Sequence, residues 1–89
     1  MLEVRVTSRF KKEVKKAERQ QKDMCKLRAV IDTLQTEKPL PERNLDHALI
    51  GNYVGHRECH ISPDWLLIYR KTESELILVR TGSHTELFG

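Results

Sequence analysis

This 89-residue chain predicts an α+β fold, in which helices and strands are grouped rather than alternated. Three observations carry that reading: a period-two segment at the start, two amphipathic helical segments directly after it, and only short apolar runs separated by turn residues beyond Pro41. The expected order is one strand, two helices, three strands and a short tail, in a single domain over residues 1–89.

Leu2, Val4 and Val6 alternate with Glu3, Arg5 and Thr7, the pattern of a strand with one face buried. Ser8 is the expected N-cap of the next element, where Phe10, Val14, Ala17 and Gln21 fall at helical spacing among lysines and leave a thin apolar stripe. Asp23 can cap a second helix, whose Met24, Leu27, Val30, Ile31 and Leu34 recur every three or four residues. Lys38-Pro39-Leu40-Pro41 ends it, because proline cannot continue a helix and pushes its predecessor toward extended geometry. Gly51-Asn52 with Gly55, then Ser62-Pro63-Asp64, then the polar stretch from Lys71 to Glu75 mark turns. They leave strands near 55–61, 65–70 and 75–81. Trp65-Leu66-Leu67-Ile68-Tyr69 is nearly continuous hydrophobe and is expected to be the central strand, covered on both faces.

Composition narrows the function classes. A chain of this length buries about 60–65% of the surface its unfolded form exposes, so an open surface groove is expected rather than a deep cofactor cavity. The longest apolar runs are far below the roughly 18–20 residues that cross a bilayer. The start, Met1-Leu2-Glu3-Val4-Arg5, lacks the basic-then-apolar pattern of a signal peptide, which favours a cytosolic protein. Cys25 and Cys59 are far apart and form no Cys-x-x-Cys pair; both are expected to be reduced, buried thiols. Residues 1–40 carry eleven Lys and Arg against six Asp and Glu, whereas residues 41–89 carry five against seven. The excess lies between Arg9 and Arg28, where Lys11, Lys12, Lys15, Lys16 and Arg19 stand on the first helix. That density suits a polyanion such as nucleic acid, although a solvated helix face has the same composition.

All four histidines, His47, His56, His60 and His84, lie in the second half of the chain among turn-forming residues and Asp64. Imidazole and carboxylate are the groups that move protons near neutral pH. A metal site built on His56-x-x-x-His60-x-x-x-Asp64 would need a helix to bring the two imidazoles to one face, and Gly55 and Pro63 oppose one there. Neither Ser62 nor Ser83 has the flanking pattern of a strained nucleophile elbow. RNA cleavage needs neither metal nor protein nucleophile, because the 2′-hydroxyl attacks the adjacent phosphorus once its proton is removed. A basic surface beside proton-transfer groups meets that requirement, and Tyr53, Trp65 and Phe88 add aromatic faces on which a base can stack.

These residues resemble a known family. Leu45-Asp46-His47-Ala48-Leu49, then Arg57-Glu58-Cys59-His60-Ile61-Ser62-Pro63-Asp64-Trp65, then Arg80-Thr81-Gly82-Ser83-His84-Thr85-Glu86-Leu87-Phe88 look like the YafQ branch of the RelE superfamily, toxins of toxin-antitoxin pairs. The resemblance implies a small, mostly antiparallel sheet of about four strands with two helices packed on it and a short C-terminal tail or helix. It implies a ribosome-dependent mRNA endonuclease that cleaves in the decoding site without a cofactor. It places the active groups on His47, His60, Asp64, His84 and Phe88. His84 would protonate the leaving oxygen, Asp64 or His60 would take the 2′-hydroxyl proton, His47 would orient or neutralise, and Phe88 would pack on the substrate. Arg57 and Arg80 would contact phosphate and Trp65 the codon. Tyr53, where relatives commonly have tryptophan, and His56, where an aromatic is frequent, are departures that bear on base preference, and His56 stays outside the expected catalytic set. The implied partners are the small ribosomal subunit, mRNA and a cognate antitoxin with an acidic segment, with no membrane. The rival readings are a non-catalytic nucleic-acid-binding module and a zinc-dependent hydrolase using His56, His60 and Asp64.

Overall fold

In the computed structural model, which describes residues 1–89, β1 (Glu3–Val6) runs straight into α1 (Ser8–Arg19). The cap is Thr7 rather than Ser8. Its backbone is extended and its Oγ1 accepts from the Phe10 amide at 3.0 Å while donating to the Val79 carbonyl at 2.7 Å, so one hydroxyl both starts the helix and ties it to a distant strand. α2 (Met24–Gln35) is capped by Asp23, which accepts from the Cys25 amide at 3.0 Å. Leu27, Val30 and Leu34 form its buried face. Cys25 sits one position off that face and is exposed, contrary to its expected burial.

β3 (Arg57–Ser62), β4 (Trp65–Lys71) and β5 (Glu75–Gly82) match the three expected strands closely. The sheet has five strands rather than about four, in the order β1-β5-β4-β3-β2. The extra one, β2 (His47–Ala48), is too short for any periodicity to betray it. β1 pairs with β5 in parallel and every other pair is antiparallel. β4 is central and buried along Trp65–Tyr69. Trp65, Leu67 and Tyr69 face the main core under α1 and α2, and Leu66 and Ile68 face a smaller cluster with Leu87, Leu49, Tyr53 and Val79. The tail folds as α3 (His84–Phe88), held by a reciprocal capping box: the Glu86 amide donates to Ser83 Oγ at 3.2 Å and the Ser83 amide to Glu86 Oε1 at 2.8 Å. Leu87 docks α3 on the smaller cluster, on the sheet face opposite the long helices.

The loop between α2 and β3 is anchored at two points. Buried Asn44 donates from Nδ2 to the His60 carbonyl at 2.6 Å, and Asp46 Oδ1 accepts from Tyr69 Oη at 2.7 Å and Arg57 Nε at 3.2 Å. Gly55, at φ +85°, makes the turn that returns the chain to β3, a backbone conformation side chains resist. No helix is long and apolar enough to cross a membrane.

Candidate active site

Strand register alone brings two of the histidines to one carboxylate. On β3, Glu58 and His60 are two residues apart and therefore share a face, and the β2–β3 ladder sets His47 directly opposite Glu58. His47 Nε2 lies 3.5 Å and His60 Nε2 3.9 Å from Glu58 Oε1. The other ring nitrogens meet carbonyls, which only accept. His47 Nδ1–H donates to Leu45 O at 2.6 Å, and His60 Nδ1–H points at Pro63 O at 3.3 Å.

The Pro63-Asp64 hairpin turn carries the arrangement to α3. Asp64 Oδ1 accepts from the His84 backbone amide at 3.2 Å, so the carboxylate and the first residue of α3 are fixed together. His84 and Phe88, one helical turn apart, bring their rings to 5.1 Å between centroids, and Phe88 meets Tyr53 edge-on at 6.0 Å. The structure thus joins His47, His60, Asp64, His84 and Phe88 into one arc, with Glu58, the Pro63 carbonyl and Tyr53 as its further members. His84, Asp64 and Phe88 are exposed along it. His56 meets only its edge, packing its ring against Tyr53 at 5.7 Å.

Two expected RNA contacts do not reach this surface. Trp65 is 3% exposed and donates from Nε1 to Thr81 Oγ1 at 3.0 Å; β4 aims it into the main core, so its ring offers no stacking face for a base. Arg80 is buried against α1. Its Nε and Nη2 donate to Glu13 at 2.6–3.3 Å, its Nη1 to Tyr53 Oη at 3.3 Å and Leu87 O at 3.4 Å, and its Nη2 to Glu86 O at 3.4 Å. Its charge is consumed in holding α3, Tyr53 and α1 together. Arg57 remains partly exposed but pairs with Asp46 at 3.2 Å, which steadies the residue before His47. Lys11, Lys12, Lys15 and Arg19 are exposed on α1, and Lys16 pairs with Glu86. That pairing, with the Ser83 amide, holds the Glu86 carboxyl down at about 2.

Sequence reasoning missed Glu58, Tyr53 as a ring partner of Phe88, and Glu13. Only the Arg57-Glu58-Cys59-His60 segment gave a signal, since alternation puts Glu58 on the histidine's face. A groove of about 610 Å³ between α2 and β3 is lined by the cations Lys26 and Arg43 as well as by His60. The proposed zinc ligands are not gathered: β3 is a strand, His56 turns to Tyr53, and no three His, Cys, Asp or Glu side chains converge as a metal site. Cys59 is buried and its thiol is pushed up to about 12 by desolvation, which removes it as a ligand or nucleophile near neutral pH.

Comparison with known proteins identifies the family and the fold. The family described as bacterial toxin of type II toxin-antitoxin system, YafQ, matches residues 2–89. The mRNA interferase toxin YafQ of Escherichia coli strain K12 is 40% identical over 88 residues, 98% of this chain and 96% of that protein. The crystal structure of YafQ from E. coli strain BL21(DE3) superposes with a TM-score of 0.95 at 38% identity, covering 100% of both chains. A chain of the E. coli DinJ-YafQ toxin-antitoxin complex superposes with a TM-score of 0.92 at 39% identity, over 99% of this chain and 98% of that one.

Proposed function

The chain belongs to the YafQ family of type II toxin-antitoxin toxins and is an endoribonuclease of the mRNA interferase class; on that premise we propose that it cleaves mRNA in the ribosomal decoding site by metal-free acid–base chemistry. The observation that carries the reading is the arc itself, an acceptor-only carboxylate at Asp64 fixed 3.2 Å from the amide of the residue bearing an exposed imidazole. A carboxylate or neutral imidazole, Asp64 or His60, removes the 2′-hydroxyl proton. The 2′-oxygen attacks phosphorus, the bond from phosphorus to the 5′-oxygen breaks, and His84 gives that oxygen its proton. His47 and His60 face the negative charge that grows on the phosphoryl oxygens. The products are a 2′,3′-cyclic phosphate and a free 5′-hydroxyl.

Phe88, 41% exposed and braced by Tyr53, offers a face against which a base packs. The exposed cations of α1, with Lys26 and Arg43 beside the groove, serve association with the negative surface of the ribosome. The same positive surface fits an acidic segment of a cognate antitoxin, as expected for a toxin whose structural neighbour was crystallised as the DinJ-YafQ complex. Action on ribosomes places the protein in the cytoplasm.

Primer extension on a translated message, with and without ribosomes, tests this reading. His84→Ala is expected to lose on the order of 10² to 10⁴ in cleavage rate without unfolding. A substrate with deoxyribose at the scission site is expected to be inert, and its cleavage sinks the mechanism. Salt-sensitive RNA binding without any fragmentation would favour the non-catalytic module; activity abolished by chelation and restored by zinc would favour the hydrolase.

A further inference from the structure

On the helix side of the Asp64–His84 contact, the end of the sheet meets the turn between α1 and α2 in a cleft of about 220 Å³. That is below the roughly 300–1,000 Å³ of pockets that hold small organic ligands. The chain itself joins it to the proposed reaction centre: Trp65 follows Asp64, Gly82 precedes the Ser83 cap of α3, and both line the cleft together with Glu86. Three cations and two carboxylates share its walls. Arg80 pairs with Glu13 and Lys16 with Glu86, which leaves the Lys22 ammonium without an acid partner. Lys22 is half-buried, and its Nζ stands 5.6 Å from the centroid of the Trp65 ring, a contact that localises a cation without neutralising it. The backbone fixes the residue there. α1 closes with the Lys22 amide donating to Ala17 O at 3.1 Å and the Gln21 amide to Glu18 O at 3.0 Å, and Gln21 takes the left-handed φ of +59° that this closure demands although it is not glycine. Asp23, on the other side, caps α2, so Lys22 stands between two locked helix ends.

We propose that this cleft is a subsite for the RNA strand on the 3′ side of the cut, in which Lys22 binds a phosphodiester that follows the scissile one. The proposal rests on the acid–base reading above and extends it along the strand. His84 gives its proton to the 5′-oxygen of the outgoing nucleotide, so the chain that carries this oxygen leaves the reaction centre on the His84 side, where the cleft lies. A lysine ammonium suits a phosphodiester as a point charge with three donors. Gln20, on the same wall, adds a neutral amide donor. The cleft's two carboxylates do not repel the strand as free charges would, because each is already matched by its own cation. The cleft therefore presents one unmatched positive charge to the strand.

The test is a methylphosphonate scan on ribosomes programmed with short synthetic messages. Each message carries one uncharged methylphosphonate in place of a phosphodiester, and the comparison is made within each protein, so any change in fold cancels. For the wild-type chain, neutralising the first or second phosphodiester 3′ of the cut should raise KM roughly 5- to 20-fold, with the single-turnover rate at saturation changed less than about twofold. A contact made equally in ground and transition state acts on binding alone. The same neutralisation should cost Lys22→Ala less than about twofold, and Lys22→Arg should regain the sensitivity. Lys11→Ala, which removes an ammonium outside the cleft, should keep it. An equal response in the wild-type chain and Lys22→Ala overturns the subsite; if Lys22→Ala still associates more weakly, its ammonium serves a ribosomal RNA phosphate instead. A Lys22-dependent response confined to phosphates 5′ of the cut overturns it too. In each of these cases an inactive His84→Ala leaves the acid–base function standing. Full cleavage by His84→Ala overturns that function, and with it the assignment of the 3′ side.

Discussion

Replacing Glu13 with alanine is expected to destabilise the fold far more than loss of an ordinary helix-surface carboxylate. The Glu13 and Arg80 side chains are only 17% and 8% exposed, and the pairing is bidentate, with Thr81 N adding a third donor at 3.2 Å. Removing one member of a buried pair leaves the other charge uncompensated and costs about 3–5 kcal/mol. The residual exposure of this pair brings the cost down to just below that range, about 2–3 kcal/mol. In a domain of this size each kcal/mol moves the melting temperature by about 4–8 °C, so Glu13→Ala should melt roughly 10–20 °C early. The assay is thermal and urea denaturation by circular dichroism, with Glu13→Ala/Arg80→Met as its control. The double variant removes both charges and should recover part of the loss. A change below about 0.5 kcal/mol, the scale of an exposed pair, would show that solvent screens Arg80 and would return it to the list of phosphate contacts.

Two further outcomes follow from the same geometry. Glu86 is held at about 2 by Lys16 and the Ser83 amide; a carboxyl lowered in the folded state contributes stability that is present above its unfolded value and lost as pH falls toward 2. Urea melts between pH 6 and 2.5 should show that loss in the wild-type chain and a shallower one in Lys16→Ala, by about 0.5 kcal/mol since the pair is exposed; parallel curves would mean that the pair contributes nothing. Trp65→Phe should cost about 1 kcal/mol through the lost bond to Thr81 while cleavage of the folded protein is unchanged. Retained stability with lost cleavage would put the indole back on the RNA.

The elements were legible where periodicity had room to act. The apolar stripe of α2 and the hydrophobic run of β4 span enough residues to declare both type and burial, and the structure follows them. The two-residue β2 has no period to detect, yet its register delivers His47 to Glu58. The helix start moved one residue because Thr7 satisfies a β5 carbonyl at the same time, a tertiary gain that local capping preference does not contain. The candidate site residues were legible as chemical types, and the resemblance proposed them as a set. Their neighbours were not. Glu13 lies 67 positions from Arg80 in the sequence, and on the first helix it reads as one acid among lysines. The same blindness made Trp65 and Arg80 resemble exposed RNA contacts, since an aromatic and a cation suit either a core or a binding surface.

Ion pairing divides the charges of this chain between two tasks. Glu13, Asp46, Glu58 and Glu86 each face a cation or an imidazole that shapes the site. Of the nine basic residues between Arg9 and Arg28, only Lys16 is drawn into an ion pair, so the rest of the basic charge on α1 and α2 remains open to solvent and to a polyanion. A net charge of +3 therefore understates the positive surface an approaching RNA meets. Charge used in this way governs encounter and its dependence on salt rather than the bond-breaking step. Lys11→Ala and Lys15→Ala should accordingly weaken association and flatten its salt dependence while leaving the rate of bound substrate unchanged, whereas substitutions along the arc from His47 to His84 should do the reverse. A lysine variant that lowered the single-turnover rate at saturating ribosome concentration would show that docking and chemistry are not separable, and that α1 contributes to the geometry of the reacting phosphate.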